Sequence, residues 1–133
     1  MDYKLEVVVI PVTDIDAAKA FYTEKLGFGL DADTTPAPGF RVVHMTPPGS
    51  NCSVVVGPVT YDPATPPAAR ARCQLVVKDL PAARAELAER GVQTSEITVM
   101  REGVDGSSFS FLADPDGNEW AIQEVREYVG AAL

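Results

Sequence analysis

Two halves of this chain read alike, and that repetition constrains the fold more than any single motif does. With Asp14 laid on Asp79, Ile15 falls on Leu80, Ala17 and Ala18 on Ala82 and Ala83, Ala20 on Ala85, and Glu24 on Glu89. Lys19 and Lys25 meet Arg84 and Arg90. A three-residue slip in the intervening loops then brings TPPGSNCSVVV (46–56) onto DPDGNEWAIQE (114–124), with Pro47 on Pro115 and Gly49 on Gly117.

Each half carries the same order of patterns. LEVVVIPV (5–12) is β-branched and apolar, as in a strand buried on both faces. Thr13 or Asp14 then caps a helix over DIDAAKAFYTEKLG (14–27), which Gly27 ends. FGLDAD and FRVVHMT read as strands separated by the Pro and Gly of TTPAPG, and CSVVVG follows as another. After the Pro-rich PVTYDPATPPAAR (58–70) the order restarts. RCQLVV is a strand and KDLPAARAELAERG a helix capped by Asp79 with Pro81 in its first turn. VQTSEITVM (92–100) is a strand, REGVDG an exposed loop, and SSFSFLA and EWAIQEV form a hairpin around DPDGN.

One repeat is too small to bury its own helix and sheet, so the two should combine. The expected fold class is α+β: two βαβββ modules whose sheets form a shared cleft, each backed by a helix. Module one covers about 1–57, a connector 58–70, module two about 71–126 and a tail 127–133, within a single domain over 1–133.

With 46% hydrophobic and 23% charged residues, the composition is that of an ordinary globular protein rather than a disordered one. No apolar run approaches the roughly 20 residues that span a bilayer, and the first residues begin no signal peptide, so the expected location is cytoplasmic. Cys52 and Cys73 lack Cys-x-x-Cys spacing and read as structural thiols. A net charge of -8 repels phosphate backbones and anionic lipid surfaces, so neither nucleic acid nor membrane is expected as a partner.

Two segments, VVVIPVTDIDAAKAFYTEKLGF (7–28) and FLADPDGNEWAIQE (111–124), in this order and joined by the repeat, resemble the vicinal oxygen chelate superfamily. This is also called the glyoxalase, bleomycin-resistance and extradiol-dioxygenase family. The resemblance covers essentially the whole chain and makes a homodimer the expected assembly. It also implies a divalent metal held by His or Glu on the first and last strand of each repeat. Those positions lie seven residues before the helix-capping Asp and four after the Gly of the turn. Here they are Val7, Ser53, Arg72 and Ala121. Val and Ala carry no donor atom, Arg stays cationic and a neutral Ser hydroxyl is a weak ligand, so no metal and no other cofactor is expected. Glu119 and Glu124 are assigned to the opposite face of the strand from Ala121.

Alternation along strands places Leu5, Val9, Val55, Gln74, Val76 and Gln123 on the same face as those four positions. The expected ligand-binding residues are therefore Arg72, Gln74, Gln123, Ser53, Val7, Val9, Val55 and Ala121. Arg72 either binds a carboxylate, phenolate or phosphate of the ligand through its planar fork, or pairs with an acid of its own chain or snorkels to solvent from the strand end. His44, the only histidine, is the candidate for acid-base work, or else a hydrogen-bonded strand residue. Phe40, Phe109 and Phe111 either stack on a guest or fill the core, and Trp120 is expected under a helix. Arg101, Glu102 and Asp105 sit in a loop that could cover a cleft or simply be solvated.

Three functions compete. The first is metal-independent binding of a small, partly apolar molecule, anionic where Arg72 supplies the counter-charge. The second is a metal-free isomerase, cyclase or lyase using His44 and Arg72. The third, which the missing ligands disfavour, is a divalent-metal-dependent lyase or dioxygenase.

Overall fold

The computed structural model describes residues 1–57 and 70–127. Tyr61 and Asp62 of the connector, and nearly all of the tail, lie outside them. The elements run β1 (Val7–Ile10), α1 (Ile15–Ala20), β2 (Gly29–Ala37), β3 (Phe40–Thr46), β4 (Ser53–Val56), β5 (Arg72–Val77), α2 (Leu80–Glu89), β6 (Thr98–Val99), β7 (Ser108–Ala113) and β8 (Glu119–Glu124). They form two open four-stranded sheets, ordered β1-β4-β3-β2 and β5-β8-β7-β6. The chain divides into two compact units, Met1–Ala71 and Arg72–Leu133, each with the βαβββ order of the repeat. In each unit the first strand runs parallel to the last, which pairs antiparallel with the strand before it.

The two helices start the same way because the same residue type starts them. Asp14 and Asp79 hold extended backbone and accept from the backbone N–H three residues on, Ala17 at 3.0 Å and Ala82 at 2.9 Å. Helix α1 is shorter than its pattern implies, because Phe21–Lys25 forms a π-helical turn. The Thr23 hydroxyl donates to the Lys19 carbonyl at 2.7 Å, taking up an acceptor that a regular helix reserves for its own backbone.

In unit one α1 lies against β4. Ile10, Val43, Met45, Val54 and Val56 share one sheet face and are buried, as are Ala18, Phe21 and Tyr22 of the helical segment. Tyr22 packs edge-on to Phe21 and stacks on Phe28, with centroids 5.3 and 5.6 Å apart. Ion pairs tie α1 to two strands: Asp33 on β2 pairs with Lys19 at 2.8 Å and with Arg41 at 2.8 Å, and Arg41 reaches Asp16 at 2.7 Å. Hydrogen bonds from Arg41 first, and from Lys19 second, hold the Asp33 carboxyl well below the usual carboxylate range.

In unit two α2 lies against β7 and β8, and Leu80, Leu112, Trp120 and Ile122 are buried. Trp120 therefore sits on the helix-backed side, as alternation requires. Glu124 shares that face and is buried. Its Oε2 accepts from Leu80 N at 2.8 Å, placing a carboxylate at the N-terminus of α2, and its Oε1 takes Arg126 Nε at 2.7 Å.

Three strands depart from the patterns as well. β1 is an edge strand rather than one buried on both faces; only Ile10 is fully covered and Val9 is 38% exposed. β2 does not stop at Asp33 but runs to Ala37 and turns at Pro38-Gly39, where Gly39 takes φ 73°. It tolerates Pro36 because the register shifts between Thr34 and Ala37 on an edge strand. VQTSEITVM yields only the two-residue β6. Upstream of it Ser95 replaces ladder pairing: its N–H donates to Phe111 O and its Oγ accepts from Phe111 N, both at 2.9 Å.

Candidate functional site

Register decides which side chains share each open sheet face, the one turned away from its helix. In unit one Val7 faces Ser53, and Val9 faces Val55, which faces His44. These five expected residues lie together on that face. Ser53 is buried, and its Oγ lies 2.6 Å from Thr46 Oγ1, which in turn donates to Asp31 in a short hydrogen bond. His44 Nε2 is buried and has no hydrogen-bond partner among the described residues.

In unit two the cross-strand rows are Arg72 with Glu119, Gln74 with Ala121, and Val76 with Gln123. Ala121 continues onto Phe111 and Gln123 onto Phe109. The other four expected residues thus share the second open face. Glu119 belongs there too, which corrects its assignment: it lies two residues before Ala121, an even step that keeps the same side of the strand. Its carboxylate pairs with Arg72 Nε at 3.0 Å. Both partners are largely exposed, at 82% and 57%, where such a pair is worth little stability.

A recess of about 260 Å³ opens here, lined by Arg72, Cys73, Gln74, Phe111, Glu119 and Ala121. Phe111 is 48% exposed and stacks on Phe109, centroids 6.4 Å apart and rings 10° from parallel, giving a flat aromatic surface. Ser95 fixes the backbone of that platform from both sides. Gln74 Nε2 donates to Gln123 Oε1 at 2.7 Å, and Gln123 Nε2 donates to Gly106 O at 2.7 Å. Sequence reasoning weighed Phe111 but could not rank it above the core, because alternation says which face a residue takes and not what covers it.

A larger hollow, about 500 Å³, lies along the loop from Arg101 to Gly106 and the end of β8. Two of its acids are already committed to structure. Asp105 accepts from Arg126 N at 2.9 Å and Glu127 N at 3.1 Å, and those N–H groups hold its carboxyl below its ordinary range. Glu124 anchors α2. That segment is therefore tied to the end of β8 rather than standing free over the sheet.

The metal positions implied by the fold do not fit a metal. Val7 and Ala121 offer no donor, Arg72 brings a positive charge already paired with Glu119, and the Ser53 hydroxyl is engaged by Thr46. Among the described residues no group of three or more His, Cys, Asp or Glu is placed to hold an ion. Neither cysteine forms a disulfide. No helix among the described residues is long and apolar enough to cross a membrane.

The model of the glyoxalase/bleomycin resistance protein/dioxygenase superfamily matches residues 4–122. None of the curated proteins matches the chain. Among solved structures, TnmS3, an antibiotic binding protein from Streptomyces sp. CB03234, is 31% identical, with 93% of this chain and 97% of that one covered and a TM-score of 0.73. A glyoxalase/bleomycin resistance protein from the same organism is also 31% identical over 91% of this chain and 100% of its own, at TM-score 0.70. A superfamily member from Sphaerobacter thermophilus DSM 20745 is 29% identical over 92% and 98%, at TM-score 0.75.

Proposed function

The chain belongs to the glyoxalase/bleomycin resistance protein/dioxygenase superfamily, and we propose that within it this protein binds a small, partly apolar molecule without a metal, holding it rather than transforming it. The observation that carries the reading is the recess on the second sheet. Half-exposed Phe111, backed by Phe109, forms one wall and Ala121 a small apolar one, with an arginine, an amide and a carboxylate at the rim. That is the composition of a pocket that buries an apolar body and orients it with a few polar groups. The antibiotic-binding role of TnmS3, at 31% identity over nearly the whole chain, supports the same class of function. A homodimer and a cytoplasmic location, with no nucleic-acid or membrane partner, belong to the same proposal.

A thermal-shift screen of planar aromatic compounds tests it. A guest at about a hundred times its Kd adds about 2.7 kcal/mol to the folded state, a rise of roughly 5 to 10 °C in Tm for a domain of this size. Phe111→Ala is expected to weaken the same guest about tenfold, since stacking and burial are both lost. A screen in which no compound raises Tm sinks the proposal.

The unpartnered Nε2 of His44 favours one second reading, a metal-free acid-base enzyme on the first sheet. That reading requires turnover in chelator-treated protein that His44→Ala abolishes. The binding reading expects the guest to be recovered chemically unchanged.

A further inference from the structure

The direction of the hydrogen bonds beside the recess says what a guest there must offer. On the second sheet the chain of bonds is anchored by the Gly106 carbonyl, which can only accept, so Gln123 must turn its amide nitrogen toward it. The Gln123 oxygen then faces Gln74 and takes its nitrogen. Flipping either amide would set two oxygens or two nitrogens against each other, so the orientation of both side chains is dictated by a backbone group. The chain of bonds ends on Gln74 Oε1, an acceptor on an exposed side chain that lines the recess beside Phe111 and is open to a donor of the guest.

Charge points the same way. Arg72 and Glu119 both line the recess and pair at 3.0 Å, so the rim is formally neutral, inside a chain of net charge -8.

We propose that the recess selects a neutral planar aromatic molecule bearing hydrogen-bond donors, a phenol or aryl alcohol, over a carboxylate or phosphate of the same size. The inference rests on the binding function above and names the class of molecule bound. Phe111 supplies the stacking surface and Gln74 Oε1 accepts the donor. Glu119 cancels the charge that would otherwise draw an anion.

Three probes on one scaffold test it by titration near neutral pH: 2-naphthol, 2-methoxynaphthalene and 2-naphthoate. The expected order puts 2-naphthol first, with the methyl ether and the carboxylate each about tenfold weaker, a difference of one donated hydrogen bond. Gln74→Leu, an exposed position on an edge strand, should abolish the preference, with 2-naphthol and its ether binding within about twofold of each other whatever the common level. Glu119→Gln should strengthen 2-naphthoate several-fold by freeing the Arg72 charge. Tightest binding of 2-naphthoate by the unsubstituted protein, or equal binding of naphthol and its ether, overturns the inference and leaves the binding function standing. If none of the three binds to folded protein, this inference falls, and the thermal-shift screen decides the binding function separately.

Discussion

Replacing Asp114 with alanine is expected to destabilise the protein by about 3 to 4 kcal/mol, because a buried carboxylate that organises the β7–β8 turn would leave its donors without acceptors. Asp114 is 6% exposed and Asn118 fully buried. One carboxylate oxygen accepts from Asp116 N at 2.9 Å and Asn118 N at 2.8 Å, and the other from Asn118 Nδ2 at 2.8 Å. The backbones close the same turn, Asp114 N donating to Asn118 O and Gly117 N to Asp114 O, both at 3.0 Å, with Gly117 at φ 82°. Alanine removes the acceptor of one part-buried and two buried N–H donors. Because the turn sets the register of β8, the damage reaches the face that carries Ala121 and Gln123. Urea unfolding gives the answer. A loss below about 1 kcal/mol would show that water reaches those groups and that the carboxylate is not what shapes the turn.

Gly57→Ala is the second large effect, expected at about 2 to 4 kcal/mol from backbone strain and overpacking together. Gly57 follows β4 with φ 152°, a conformation that disfavours side chains, and a Cβ built there would lie 2.6 Å from the carbonyl oxygen of Arg41. The obstacle is backbone, so it cannot swing aside as a side chain would. Moving it displaces β3 where Arg41 also carries the ion pairs to Asp16 and Asp33, so the cost should appear with a loosened α1. The midpoint of urea unfolding should fall with little change in slope. An unchanged midpoint would mean that β3 yields at that point.

How much of this was legible beforehand varies with the kind of signal. The two modules were readable because Asp14 and Asp79 recur with the same neighbours, and capping by a carboxylate is a local interaction that sequence spacing records directly. The sharing of faces was readable for the same reason, since alternation is a property of the strand itself; Val7, Val9, Ser53, Val55 and His44 fall together as spacing requires. Glu119 went to the wrong face through miscounted parity rather than through any ambiguity in the strand. What spacing does not contain is cover. LEVVVIPV looks doubly buried, yet its strand is an edge, because strand order is set by long-range pairing. Nor does it contain partners: only the folded register puts Glu119 against Arg72, Thr46 against Ser53, and Gln123 under the Gly106 carbonyl. Those pairings decide the chemistry a guest meets, and they name Glu119 as the acid that Arg72 pairs with.

The central claim, that this member of the superfamily binds a small molecule without a metal and leaves it unchanged, is tested most directly by calorimetric titration of exhaustively chelated protein with 2-naphthol, followed by recovery of the compound. The account predicts saturable binding with the same Kd before and after chelation, no gain on adding nickel, zinc, manganese or iron(II), and intact 2-naphthol at the end. Binding that vanishes on chelation and returns with one equivalent of a divalent ion would contradict it.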